Sequence, residues 1–225
     1  MEETQDAITS HVDSFMEPNG NGLVQFVLSV LLSKGVENIR SEMDAVAGAL
    51  SDATGGTGKL VGAHDYCTQE LVNLLLCGFA RSNVFDGEQR LEGDPGDVVL
   101  KGIPSRCAVG FLSLFEAYDY IQVGSFLKRP QFNVWVVCSE SHYSVFFADP
   151  KLLMDESLER RQQLDVFYFD GLANQDEEIR LTLTMSESTT RNKPKFDELI
   201  PPLNLVLQTK WPRATIDWNG VEPLL

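Results

Sequence analysis

Three side chains carry types and placements suited to thiol chemistry: Cys67, His142 and Asp170. An unperturbed imidazole titrates near pH 6.5, so a histidine can take up a proton and return it within one cycle near neutrality. A cysteine at a helix start is a candidate nucleophile, since the helix dipole favours its thiolate. A carboxylate ending a neighbouring strand can orient the imidazole. His11 sits in an acidic N-terminal stretch and His64 follows a glycine-rich loop with no nucleophile paired to it, so His142 is the candidate base. Each residue also has a plainer reading. His142 fits a strand-end side chain bonded to Ser139 or Ser141, Cys67 a packed helix-start residue, and Asp170 a turn aspartate before Gly171.

The elements that must hold these residues are legible as pattern. Residues 134–138 and 143–147 are β-branched and aromatic runs flanking four polar residues, 139–142. They predict a hairpin in the middle of a sheet, with His142 where its second strand begins. Both runs are nearly continuous, which predicts burial of both faces. Residues 65–80 predict a helix opened by Thr68, Gln69 and Glu70, with Leu71, Leu74 and Leu75 on its apolar face and Cys67 at or just before its start. Residues 166–169 predict a strand delivering Asp170 beside the strand of His142. A helix-start cysteine followed by a strand-borne histidine is the papain-like order.

The remaining chain predicts an α+β fold, with helices first and a mostly antiparallel sheet after them. Residues 1–20 are polar and predict a disordered N-terminus, leaving residues 21–225 as the domain. A short buried helix is expected over 23–32, ending at Gly35, and a second over 36–50. Residues 53–60 mimic a phosphate loop. Ala53 replaces its first glycine and Leu60 its magnesium-binding hydroxyl, so they are read as a linker. An acidic loop follows to Gly96, then a strand over 98–103, an amphipathic helix over 110–118 and a strand over 121–127. Residues 149–164 predict a surface loop or short helix, and 186–198 predict a mobile loop. Strands are expected at 179–184, 203–207 and 215–218.

The net charge of −15, from 18 basic and 33 acidic residues, argues against nucleic acid as a partner, because a phosphate backbone selects clustered Lys and Arg. The four cysteines lack zinc-site spacing, so no zinc site is expected from them. With no signal peptide and no apolar run near 18 residues, no membrane association is expected, and the chain reads as cytoplasmic or nuclear with reduced thiols.

Longer strings carry a family likeness. Residues 67–76 (CTQELVNLLL), 82–86 (SNVFD), 110–116 (GFLSLFE), 122–128 (QVGSFLK), 135–142 (WVVCSESH) and 170–175 (DGLANQ) resemble the C-terminal part of the catalytic domain of the MINDY deubiquitinases, in the branch of that family's third and fourth members. So do Thr209 to Trp211 and Trp218 to Gly220 near the end of the sequence, and the likeness spans about residues 23–225. The resemblance implies a partial catalytic domain of a papain-like cysteine protease that cleaves isopeptide bonds in polyubiquitin of the proteasome-directing linkage, without a cofactor. It implies that His142 is the catalytic histidine and transfers no role to Asp170. It places the family's nucleophilic cysteine and oxyanion-hole glutamine upstream of residue 1, and so disagrees with Cys67 as nucleophile. Two functions follow: a cysteine-type deubiquitinase, or a catalytically dead module that binds ubiquitin or another partner. An incomplete sheet would expose an apolar face or edge. The expectation is lower solubility than the charge suggests, and a monodisperse, cooperatively melting monomer in sedimentation and calorimetry would contradict it.

Overall fold

A computed structural model describes residues 2–17, 20–44, 58–92, 97–150, 163–173, 175–185 and 200–222. The chain divides into two compact units, residues 1–82 and 83–225. The expected stretches 45–50, 53–57, 93–96, 151–162 and 186–198 lie outside the described residues.

The first unit is helical: α1 (Glu2–Ser10), α2 (Val12–Met16), α3 (Gly22–Lys34), α4 (Val36–Glu42) and α5 (Gln69–Cys77). Helices α1 and α2 occupy a stretch expected to hold no ordered element. Their polar composition does not forbid local hydrogen bonding, and α2 buries no residue. Helix α3 ends as expected at Gly35, whose φ of 86° is the left-handed geometry that favours glycine. It was expected to be buried and is not. No residue of α3 is fully buried, and Leu23, Val24, Leu28 and Leu32 face solvent. Apolar density along a helix reports its chemistry, not what the tertiary fold sets against it. The small core here joins Ile39, Met43, Leu74 and Ala80, with Val30, Leu31 and Leu60 packed on it. Glu42 ties this core together: its carboxylate pairs with Lys34 at 2.8 Å and accepts the Ala80 N–H at 2.9 Å.

Helix α5 follows its sequence signals closely. Thr68 is the N-cap, its hydroxyl accepting from the Leu71 N–H, and Gly78 at φ 75° closes the end. Leu71 and Leu74 are buried as expected, whereas Leu75 is exposed. Cys67 lies immediately before the cap.

The second unit carries a two-stranded ribbon, β1 (Glu88–Leu91) with β2 (Val98–Lys101), and a six-stranded sheet. The sheet runs β3 (Gly110–Ser113), β4 (Val134–Ser139), β5 (His142–Phe147), β6 (Gln163–Phe169), β7 (Ile179–Met185) and β8 (Ala214–Asp217), in that spatial order. Only the β3–β4 pair is parallel; the others are antiparallel. Short helices α6 (Leu114–Ala117) and α7 (Ser125–Lys128) and the longer α8 (Pro202–Lys210) complete it. The core packs Trp135, Val137, Phe146, Val166, Tyr168, Leu181 and Leu183 of the sheet against Leu203, Val206, Leu207 and Trp211.

Four elements depart from expectation, each for a tertiary reason. Strand β1 forms in the acidic loop because β2 supplies its partner. Residues 110–118 are not one helix: 110–113 form β3, buried on both faces, before the single turn of α6. A strand buried on both faces shows no alternation, so the spacing of Phe111, Leu114 and Phe115 imitates a helix. Residues 121–127 are not a strand. The Asp86 carboxylate, 39 residues upstream, accepts from the Ser125 N–H at 2.8 Å and the Phe126 N–H at 2.9 Å, starting α7. Residues 203–207 are helical, with Pro202 in the first turn and Leu203, Val206 and Leu207 buried at i, i+3, i+4 spacing. The central hairpin is where it was expected, but β4 and β5 each bury one face deeply. Val134, Val136, Val145 and Phe147 on the other face are half-buried.

Gly110 reports how tightly β3 is held. A Cβ there would collide with the Leu127 carbonyl and the Trp135 ring. Gly110→Ala is expected to cost about 1–3 kcal/mol of stability, read as a lower denaturation midpoint in urea, because neither backbone nor a fully buried tryptophan can yield.

Candidate functional site

Strand pairing alone brings the two candidate side chains of the second unit together. Strands β5 and β6 are antiparallel with Val145 opposite Phe169, a register that sets Ser144 against Asp170 and His142 one diagonal step away. His142, Ser144 and Phe146 share a face with Tyr168 and Asp170, because side chains alternate along a strand. That face is the core face, holding Phe146 and Tyr168. At its open end the core gives way to solvent, and there His142 Nε2 lies 2.7 Å from Asp170 Oδ2.

The pair is unequal in exposure. The His142 side chain is 40% exposed and that of Asp170 only 10%. The imidazole can therefore meet an incoming group while its carboxylate stays shielded. Since a carboxylate accepts, Nε2 is the protonated ring nitrogen in the neutral tautomer, and Nδ1 is left as the basic one. The turn between the strands is set up by the hairpin itself: only Glu140 and Ser141 separate β4 from β5, and Glu140 adopts φ 56°. His142 thus stands on the first ladder pair, opposite Ser139. The plainer reading, an imidazole bonded to Ser139 or Ser141, is not the arrangement found.

Asp170 is held from several sides. Its Oδ1 accepts the Leu172 N–H at 2.9 Å, and the Tyr168 hydroxyl approaches Oδ2 at 3.5 Å. Its own N–H donates to Gln175 Oε1 at 3.1 Å. Burial pushes the Tyr168 hydroxyl above its usual pKa, and the nearby Asp170 charge adds to this, while a hydrogen bond with Ser144 opposes it. Tyr168 and Gln175 were not singled out from the sequence. Gln175 closes the string 170–175, which is the one sequence signal that pointed to it.

The four thiols differ in accessibility. Cys67 is exposed, Cys77 intermediate, and Cys107 and Cys138 buried. Cys138 faces Tyr143 across the hairpin, and burial pushes its thiol up despite a hydrogen bond from that tyrosine. Cys67 belongs to the first unit and His142 to the second. Clefts of about 590 and 620 Å³ are lined by Phe147, Pro150, Leu164 and Phe167 and by Glu116, Tyr120, Lys128 and Gln208; neither is lined by His142 or Asp170. Among the described residues no group of three or more His, Cys, Asp or Glu could hold a metal, and no single helix is long and apolar enough to cross a membrane.

The scaffold is thus a mixed α+β fold that holds a part-exposed imidazole on a shielded carboxylate. Residues 1–220 match the family described as "Deubiquitinating enzyme MINDY-3/4, conserved domain", and the chain belongs to that family. It is 48% identical over 208 residues to "Probable ubiquitin carboxyl-terminal hydrolase MINDY-4" of Mus musculus, covering 91% of this chain and 26% of that protein. The Xenopus tropicalis protein of the same name is 46% identical over 220 residues, 97% of this chain and 28% of that protein. "Ubiquitin carboxyl-terminal hydrolase MINDY-3" of Homo sapiens is 41% identical over 165 residues, 73% of this chain and 34% of that protein. The chain thus spans about a quarter to a third of these relatives' length. No solved structure matches.

The raised pKa values at Cys138 and Tyr168 have a definite sign. Both groups stay protonated in the fold beyond the pH at which the unfolded chain ionises them. Unfolding above about pH 8.5 therefore releases protons, and stability falls as pH rises. The melting temperature is expected to drop between pH 7.5 and pH 10.5, and to drop less in Cys138→Val; an unchanged pH slope in that variant would remove Cys138 from the account.

Proposed function

We propose that this chain supplies the proton-handling pair of a cysteine-type deubiquitinase of papain-like kind, with His142 as general base and Asp170 as its orienting carboxylate. The single observation that carries this is the 2.7 Å contact of Nε2 with a shielded carboxylate, which leaves Nδ1 basic on a half-exposed ring. The relatives' names, ubiquitin carboxyl-terminal hydrolase, give the substrate class. We propose polyubiquitin of the proteasome-directing linkage as substrate, from the family resemblance, and action in the cytoplasm or nucleus.

In this reading a thiol gives its proton to His142 Nδ1, and the thiolate attacks the carbonyl carbon of the isopeptide bond. Asp170 stabilises the imidazolium through Nε2–H without itself taking the proton. The tetrahedral oxyanion collapses, the C–N bond breaks, and the Nδ1 proton goes to the departing lysine amine. Water then hydrolyses the thioester, with His142 again accepting the proton. By the family resemblance the thiol is that family's nucleophilic cysteine; the alternative within this sequence is Cys67, which is exposed and stands immediately before the α5 N-cap. The second reading is a ubiquitin-binding module that does not cleave.

The test is a ubiquitin derivative carrying a thiol-reactive group at its C-terminus, incubated with the purified chain. A covalent adduct abolished by Cys67→Ala, retained by Cys138→Ala, and slowed about 10²-fold or more by His142→Ala would assign Cys67 as the partner thiol. Ubiquitin binding without an adduct supports the module; an adduct formed at the same rate in His142→Ala would overturn His142 as base.

A further inference from the structure

The turn that carries Asp170 is closed by one side chain, and its chemistry matches what surrounds it. Gln175 Oε1 accepts the Asp170 N–H at 3.1 Å, while Nε2 donates to the Tyr168 carbonyl at 3.0 Å and the Glu177 carbonyl at 2.8 Å. A primary amide is the one side-chain group that offers an acceptor and two donors on a single rigid plane. A carboxylate there would face two carbonyl oxygens with no proton to give, and an ammonium would leave the Asp170 N–H without its acceptor. The three bonds clamp the last residues of β6, Asp170 itself and the approach to β7.

We propose that Gln175 is a positioning residue for His142: by holding the Asp170 N–H and tying the Tyr168 and Glu177 carbonyls on either side of it in the chain to one amide, it holds Oδ2 on the imidazole Nε2–H. This rests on His142 being the base, in the sense that it says what the fixed geometry is for. The chain of fixation is short. Gln175 sets the Asp170 backbone, Leu172 N–H pins Oδ1, and Oδ2 is left with His142 and the more distant Tyr168 hydroxyl. A carboxylate only 10% exposed has few other orientations that keep it hydrogen-bonded, so its backbone angle determines where Oδ2 points. The partly exposed imidazole has no comparable enclosure. Its orientation depends on the carboxylate, and the carboxylate depends on the amide.

The measurement is made on the intact chain, labelled with ¹⁵N-histidine, without ubiquitin or any partner thiol. A hydrogen-bonded imidazole N–H gives a downfield proton resonance protected from exchange with water; Asp170→Asn and His142→Gln identify it as the Nε2–H of His142. In Gln175→Leu this proton is expected to exchange about tenfold faster, the scale of losing one charge-assisted hydrogen bond. If Gln175→Leu fails to fold, Gln175→Glu decides the matter: it keeps the acceptor for the Asp170 N–H and loses both donations, so exchange again accelerates. A Gln175 variant that melts earlier yet exchanges the imidazole proton at the wild-type rate below its transition would make the glutamine merely structural and overturn the proposal, as would the absence of a protected resonance in the wild type. The outcome is independent of the adduct experiment, since a chain that forms no ubiquitin adduct still reports its imidazole proton.

Discussion

The antiparallel pairing of β5 with β6 is the constraint from which the site follows. It fixes which residues face one another to within one step of the ladder, and a slip of one residue would send every side chain of the strand to the opposite face. In the observed register His142 and Asp170 fall on the core face at its open end, 2.7 Å apart. The register is held by the same face further in, where Phe146 packs on Tyr168 with ring centroids 5.3 Å apart and Tyr168 meets Trp218. Hydrophobic packing in the middle of the sheet thus governs a polar contact at its margin. The imidazole stands where burial has run out, and the carboxylate just where it has not.

The sheet is assembled by contacts that reach far along the chain. Asp86 starts α7 with its carboxylate, and Gly124 comes so close to Asp86 that a side chain there would strike it. Helix α7 then presents Leu127 and Lys128 to β3 and β4: the Trp135 indole N–H donates to the Lys128 carbonyl at 3.0 Å. Lys128 in turn pairs with Glu116 at 2.8 Å and donates to the Thr209 carbonyl, linking α6, α7 and α8 around the parallel edge of the sheet. A parallel pair lacks a tight hairpin to set its register. Here the chain that crosses from β3 to β4 does so through this polar network. The helical unit is less complete in apolar terms, since α3 leaves Leu23, Val24, Leu28 and Leu32 in solvent.

What could be read in the sequence was local in its causes. Helix α5 was legible because its cap, its apolar face and its terminating glycine all lie within a dozen residues, and the central hairpin because two β-branched runs flank a polar turn. His142 and Asp170 were legible as residues at strand ends, and the strings around them identified the family. Strand β3, helix α7 and helix α8 were not legible, because their determinants lie elsewhere: a partner strand, a capping carboxylate 39 residues away, and a core that selects the helical over the extended reading of Leu203, Val206 and Leu207. The role of Gln175 is hidden for the same reason: the string 170–175 contains it, but its three hydrogen-bond partners converge only in the fold.

The amino-acid sequence by itself determined the chemistry on offer: an imidazole, a carboxylate, four thiols, a strongly acidic chain and the order of most elements. Only the tertiary structure decided which ring nitrogen meets the carboxylate, which of the cysteines is exposed, and that the apolar helix α3 lies open to solvent. Propensity and periodicity act between residues a few positions apart. Register and burial depend on which distant segments meet, and no local pattern encodes that.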